Sequence, residues 1–280
     1  MACRTTASAM LWCALSLAAL SFGASAAEPF AWPDGKRAAV SLGYDDALDS
    51  QLDIAIPALD RHGFKGTFYL VLANPPVRER MADWRAAARN GHELGNHTLF
   101  HQCSGSQPDR GWVEPQRDLD TTTAAQMADQ IAVASTMLDA IDGKGTRRTL
   151  ALPCGESQAK DGDYVPLVKA GLAGIRVGGG AVTPDMAALD PAAVTVDAPV
   201  GLSGKQLIAM VKQARKRGTM ATFTFHGVGG DYLTTSAQAH EELLAYLDAN
   251  RDIYWVATFR EIMDYIGQRR AQSATPATGR

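Results

Sequence analysis

Net charge is nearly absent from this chain. Lysine and arginine total 27 and aspartate and glutamate 30, for a formal charge of −3 over 280 residues. Such a balance gives no field to gather nucleic acid. The one internal basic cluster, residues 212–217, falls at the end of a helical pattern, where the backbone dipole favours cations anyway. Cysteine is scarce, at four. Long internal repeats are missing. Gly178-Gly179-Gly180 lacks the G-x-G-x-x-G spacing of a dinucleotide site, which sets that reading aside. The apolar stretch at residues 10–22 is shorter than the ~20 residues a membrane span needs. What remains is 46% hydrophobic and 20% charged, the profile of one large globular α/β domain.

The amino terminus reads as a signal peptide, residues 1–26. Arg4 precedes the apolar stretch, and Ala24-Ser25-Ala26 supplies the small residues of a cleavage site. Cleavage would leave no stable membrane span and would send the chain to the periplasm or the medium. It would also remove Cys3 and Cys13. Cys103 and Cys154 would then meet an oxidising compartment, where a disulfide between them is expected. Residues 27–268 read as one domain, and the small, polar, basic residues 269–280 read as a disordered tail.

A short apolar run at residues 38–44 predicts the first strand, and residues 67–72, 92–96, 149–152, 172–177, 221–225 and 253–256 read as the strands that follow. Helical patterns separate them, several with capping boxes: Ser203 with Gln206, Thr258 with Glu261. Residues 102–120 form a long polar connection of the kind that is often functional, and residues 181–200 read as irregular. Strands alternating with helices predict a parallel sheet. About seven such units predict a distorted (β/α)7–8 barrel, with its chemistry at the carboxyl ends of the strands. Asp45, Asp46, His97, Cys154, Arg176 and His226 all fall at or near such ends.

The stretch Gly95-Asn96-His97-Thr98-Leu99-Phe100-His101 places two histidines four residues apart. One helical turn would let both rings converge on a point. Two neutral imidazoles and the Asp46 carboxylate make a metal set with positions left open for water and substrate. Asp45 is then free to act as a general base, and His226 as a proton donor to a leaving group. Plainer readings exist: Asp45-Asp46 as a helix N-cap, and the histidines as surface or packed residues. His62, His92 and His240 lack partners at useful spacing and read as structural. Tyr44, Phe100, Trp112, Asp231 and Tyr232 fall in or near predicted rim loops, where they are candidates to bind substrate, the aromatic faces by stacking on sugar rings.

These motifs resemble the polysaccharide deacetylase (NodB homology) family of carbohydrate esterases, family 4-like. Gly43-Tyr44-Asp45-Asp46 is similar to its first motif, usually Thr-Phe-Asp-Asp. Asn96-His97-Thr98-Leu99-Phe100-His101 is similar to its second, His-Ser/Thr-x-x-His, and Phe225-His226 to its last. The similarity runs over residues 37–266. It implies metal-dependent removal of acetyl groups from a polysaccharide or oligosaccharide, with Asp45 as base, Asp46, His97 and His101 as ligands and His226 as acid. The family's third motif is Arg-x-Pro-Tyr/Phe. Here Ala151 stands for the arginine and Cys154 for the aromatic, while the Cys154 amide can still face an oxyanion. The charge that orients Asp45 is then expected from Arg176 or, less directly, Arg148. The family's Asp-Trp-containing fourth motif is not visible near residues 175–180. Zinc fits the His₂–carboxylate set, as could cobalt, nickel or manganese. Two other readings stay open: an amidohydrolase for a small non-sugar amide, and a glycan-binding barrel without catalysis.

Overall fold

The computed structural model describes Met1 and residues 30–274. The expected signal peptide and cleavage site lie outside them. Strands and helices alternate as β1 (Ala38–Asp45), α1 (Ile56–Arg61), β2 (Thr67–Leu70), α2 (Pro75–Glu79), α3 (Met81–Arg89), β3 (Glu93–Asn96), α4 (Ala124–Asp142) and β4 (Thr149–Ala151). A small hairpin follows, β5 (Gln158–Ala159) and β6 (Gly162–Asp163), then α5 (Val165–Val168), β7 (Gly174–Gly178) and β8 (Val194–Val196). The chain closes with α6 (Gly204–Arg217), β9 (Met220–Phe225), α7 (Ala237–Asp248), β10 (Tyr254–Val256) and α8 (Phe259–Ala274).

The main sheet is parallel. It runs β1-β2-β3-β4-β7-β8, with β9 on the other side of β1 and β10 against the first residues of β1. Beyond β8, Asp197 bridges to Phe223, its carbonyl accepting from the Thr224 amide at 2.9 Å, so β8 and β9 nearly close a seven-stranded barrel. The predicted (β/α) barrel is therefore the observed fold. Strand β8 lies inside the region read as irregular. Three residues between Pro191 and Pro199 are too few to show a periodic pattern.

Side chains alternate across each strand. Val40, Leu42 and Tyr44 of β1 face outward into the main core, with Leu207 and Val211 of α6 and Leu243 and Leu244 of α7. Ser41, Gly43 and Asp45 face the interior. The floor of the barrel is sealed by α8, whose Phe259, Ile262, Met263 and Ile266 pack with Ala39, Ala151, Val194 and Met220. Buried Glu93 lies at this floor. It accepts from Thr67 Oγ1 at 2.8 Å, from Thr149 Oγ1 and from the Arg260 amide at 3.0 Å, which anchors the start of α8.

Helix α8 extends further than the sequence suggests. Residues 269–274, expected within a disordered tail, are helical; residues 275–280 lie outside the described residues. The physical reason is Arg270, whose Nη2 donates to the carbonyls of Met186 at 3.0 Å and Leu189 at 2.6 Å and pins the last turns. Among the described residues, no helix is long and apolar enough to cross a membrane.

Candidate active site

Asp45 and Asp46 are adjacent, so in a continuous strand they would point to opposite faces. They converge because the strand ends between them. Asp46 takes φ 79° and Ala47 φ 59°, which turns the second carboxylate back over the barrel mouth. Asn74 Nδ2 donates to the Asp46 carbonyl at 2.6 Å, and Gln51 Nε2 donates to the carbonyls of Asp45 at 2.5 Å and His226 at 3.1 Å. These amides hold the turn and tie the tip of β1 to the tip of β9. The helix that the N-cap reading would start at Asp46 begins only near Gln51.

His97 and His101 also converge, though not by a helical turn. Residues 97–101 are a loop in which Thr98 and His101 have φ of 66° and 57°. Asn96 Oδ1 accepts from the Thr98 amide at 2.8 Å, and Thr98 Oγ1 from the His101 amide at 3.0 Å. The rings meet edge to face, with centroids 4.8 Å apart. His97 Nδ1 donates to the Ala151 carbonyl at 2.8 Å. A carbonyl only accepts, so this bond fixes the proton on Nδ1 and leaves the Nε2 lone pair facing the site.

Asp46 Oδ1 lies 3.4 Å from His97 Nε2 and 3.5 Å from His101 Nε2. It is buried and has no hydrogen-bond donor. A tetrahedral ion with nitrogen and oxygen ligands at about 2.0–2.1 Å would separate those atoms by about 3.3–3.4 Å. The donor set thus fits a divalent cation, and these three residues form a possible metal-binding group. Burial raises the pKa of the Asp46 carboxyl, but His97, His101 and His226 around it outweigh burial and hold it well below the usual carboxylate range. Burial and the neighbouring His97 push His101 down to about 4, which keeps its imidazole neutral. His97 has the opposite direction: burial lowers it, and Asp45 and Asp46 more than compensate and raise it.

Asp45 Oδ2 lies 3.8 Å from His97 Nε2. Its Oδ1 accepts a close hydrogen bond from Arg176 Nη2. Arg176 comes from β7 and crosses the interior, where its Nη1 donates to Thr224 Oγ1 at 2.9 Å and its guanidinium lies 3.8 Å from the centre of the Tyr69 ring. Two glycines make this possible. A Cβ on Gly43 would sit 2.3 Å from Arg176 Nη1, and one on Gly95 would sit 2.5 Å from the Tyr69 ring. Arg148, the weaker candidate for this charge, pairs instead with Asp139 and Asp142.

His226 Nε2 lies 3.8 Å from Asp46 Oδ2, the other oxygen of the carboxylate that faces His97 and His101. Cys154 sits on the cavity wall with φ 55°, and its sulfur is bonded to that of Cys103, with the two Cα atoms 5.9 Å apart. The cluster forms the base of a cavity of about 750 Å³, whose rim carries Phe100, Trp112, Arg117 and Tyr232.

Two rim candidates do not reach the cavity. Tyr44 is fully buried, donating to or accepting from His240 Nε2 at 2.6 Å and stacking on Phe68. Being next to Asp45 on a strand, it must face the other way. Asp231 turns aside to accept from the Ser50 amide at 2.8 Å. Tyr232 does line the cavity, but its hydroxyl donates to Asp46 Oδ2 at 2.8 Å. Gln51, Asn74, Tyr69 and Thr224 were not legible as site residues. The interior parity of Tyr69 and Thr224, shared with Asp45 through strand register, was the available signal.

Residues 33–165 match the model of the polysaccharide deacetylase family. Solved structures with the same fold include a Mycobacterium smegmatis protein assigned to the polysaccharide deacetylases (TM-score 0.58, 18% identity, covering 91% of this chain and 97% of that one). The Xyl-CE4 domain of a multidomain xylanase from the hindgut metagenome of Trinervitermes trinervoides gives 0.53, 18%, 83% and 92%. A family 4 acetyl xylan esterase from Clostridium thermocellum, in complex with a cobalt ion, gives 0.51, 21%, 81% and 91%. A gellan lyase from Bacillus sp. is 25% identical over 265 residues; the match takes in 87% of this chain but 10% of that relative's length.

Proposed function

We propose that this chain is a metal-dependent deacetylase that hydrolyses N- or O-acetyl groups on a glycan. The observation that carries the reading is the meeting of Asp45, Asp46, His97, His101 and His226 at the base of one open cavity. Asp46, His97 and His101 would hold the cation, with zinc first and cobalt, nickel or manganese as alternatives. When bound, that cation supplies Lewis-acid chemistry, polarising a carbonyl and acidifying water.

The chain's own groups supply the rest. Asp45 takes the proton of the attacking water on Oδ2, the oxygen that faces His97, while Arg176 holds Oδ1. The Cys154 amide contributes a donor toward the oxyanion. His226 gives a proton to the departing sugar nitrogen or oxygen. Phe100 and Trp112, 41% and 59% exposed at the rim, offer flat faces to sugar rings. Their exposure favours a glycan over a small amide. We also propose that the chain is exported. The Cys103–Cys154 bond supports that reading, since such bonds persist in oxidising compartments.

The test is acetate release from a panel of acetylated glycans, chitooligosaccharides and acetylxylan among them, by zinc-loaded protein and by Asp45→Asn. Release that disappears in the variant at equal metal content is the expected result. Protein that holds metal yet frees no acetate from any glycan would point to a small-amide hydrolase or a binding barrel.

A further inference from the structure

His101 has two ring nitrogens with different neighbours. Nε2 faces Asp46; Nδ1 lies 3.6 Å from Cys103 Sγ. A tetrahedral ion with sulfur at about 2.3 Å and nitrogen at about 2.0 Å separates those two ligand atoms by about 3.5 Å. Cys154 Sγ completes the group, and the three ligand atoms lie within 4.8 Å of one another. We infer that breaking the Cys103–Cys154 bond creates a second metal site, His101 Nδ1 with two cysteine thiolates, suited to a soft divalent cation such as zinc or cadmium.

The sulfurs stay close without their bond. Glu156, two residues after Cys154, accepts from the Ser104 amide at 2.7 Å and from Arg110 Nη2 at 3.0 Å. Arg110 Nη1 donates to Cys154 Sγ at 2.5 Å. Cys103 is itself fixed by a backbone bridge to Asp118, with the Leu119 amide donating to its carbonyl at 3.0 Å. The two Glu156 contacts tie the 102–120 loop to the β4 loop independently of the disulfide. Cys103 is buried and Cys154 is exposed, so attack by an external thiol is expected at Cys154.

The step balances with a dithiol as reductant. Its two S–H groups give two electrons and two protons to the bridge. The Cys103–Cys154 bond breaks, two thiols form, and the dithiol leaves as its own disulfide. A divalent cation then displaces both thiol protons to solvent and gains two thiolates and the imidazole. A neutral imidazole has one lone pair. His101 therefore serves one cation at a time, and filling the thiolate site takes it from Asp46. This last consequence rests on the proposed role of His101 in hydrolysis; the thiolate site does not.

The experiment uses cobalt(II) as probe, on a full-length chain carrying Cys3→Ser and Cys13→Ser so that the bridge is the sole source of thiols. Reduced protein is freed of dithiol without air, its thiols are counted, and cobalt is added. Thiolate ligation gives a sulfur-to-cobalt charge-transfer absorption in the near ultraviolet. It is expected in the reduced protein only. It should be missing from oxidised protein, from Cys103→Ser, and from reduced protein alkylated before cobalt, which retains the same backbone. Two free thiols with no such absorption would overturn the inference, as would an undiminished absorption in Cys103→Ser. The oxidised protein reports separately on the carboxylate site. If it binds no cobalt at all, the hydrolytic reading fails while the thiolate result stands by its own band.

Discussion

Arg176→Met tests whether Asp45 depends on its partner from across the barrel. The two side chains are 1% and 7% exposed, so solvent cannot substitute for the missing charge. Methionine keeps most of the aliphatic volume, which keeps the cavity term small. Breaking one side of a buried pair costs about 3–5 kcal/mol, because the other charge is left uncompensated. For a domain of this size that is a fall of roughly 6–20 °C in melting temperature. Asp45→Asn alone should also destabilise, since it leaves the guanidinium unpaired over Tyr69. The double variant removes both charges, so the single costs should not add. A coupling of at least about 2 kcal/mol is expected from residues in direct contact. Urea melts followed by circular dichroism, with chelator present so that metal binding does not contribute, provide all four corners of the cycle. The reasoning is refuted if Arg176→Met costs under about 1 kcal/mol, the range of an exposed pair, or if the two single costs simply sum.

Two further predictions follow from neighbouring contacts. Tyr232→Phe removes the hydroxyl that holds Asp46 Oδ2. Zinc affinity, read by competition with a chromogenic chelator, should weaken about 10–100-fold, and an unchanged affinity would show that the tyrosine serves the substrate alone. His240 concerns acid stability. Burial holds its imidazole at about 4 in the folded chain, against 6.5 when free. Between those values the unfolded chain takes up a proton that the folded chain refuses, so stability falls as pH drops through that window. The loss amounts to roughly 3 kcal/mol. Guanidinium melts of His240→Gln should lose correspondingly less on going from neutral pH to about 4 than the parent chain; parallel losses would count against this assignment.

The parts of the site that were legible are those fixed by strand ends. Asp45 and His226 each follow an apolar strand segment and His97 follows the short strand at residues 93–96, and a barrel gathers such ends by topology alone. Arg176 was legible because one expected arginine was missing at Ala151 and another charge stood near the next tip. The misreadings have a common origin in local backbone. Tyr44 shares a motif with Asp45 but has the opposite parity on β1. The convergence of Asp46 on Asp45, and of His101 on His97, depends on left-handed φ values at Asp46, Thr98 and His101. None of these is glycine; aspartate and histidine adopt that region more often than most residues, but still uncommonly, so the residue types alone do not mark these positions. Tyr232 was placed at the cavity correctly, but its bond to Asp46 depends on a turn 186 residues away in sequence.

Strand β1 can be regarded as two interleaved messages. Val40, Leu42 and Tyr44 spell the packing against α6 and α7; Ser41, Gly43 and Asp45 spell the lumen. The lumen message uses little apolar material: the hydroxyls of Ser41, Tyr69 and Thr222 are all buried there. A designer seeking a different substrate could therefore rewrite inward-facing letters near the mouth while leaving the outward ones untouched. Gly43 is the exception in that inward series. Any side chain there would collide with Arg176 and with the Phe223 carbonyl, 2.3 and 2.8 Å away. The blank position in the lumen is thus the one whose content is least free to change.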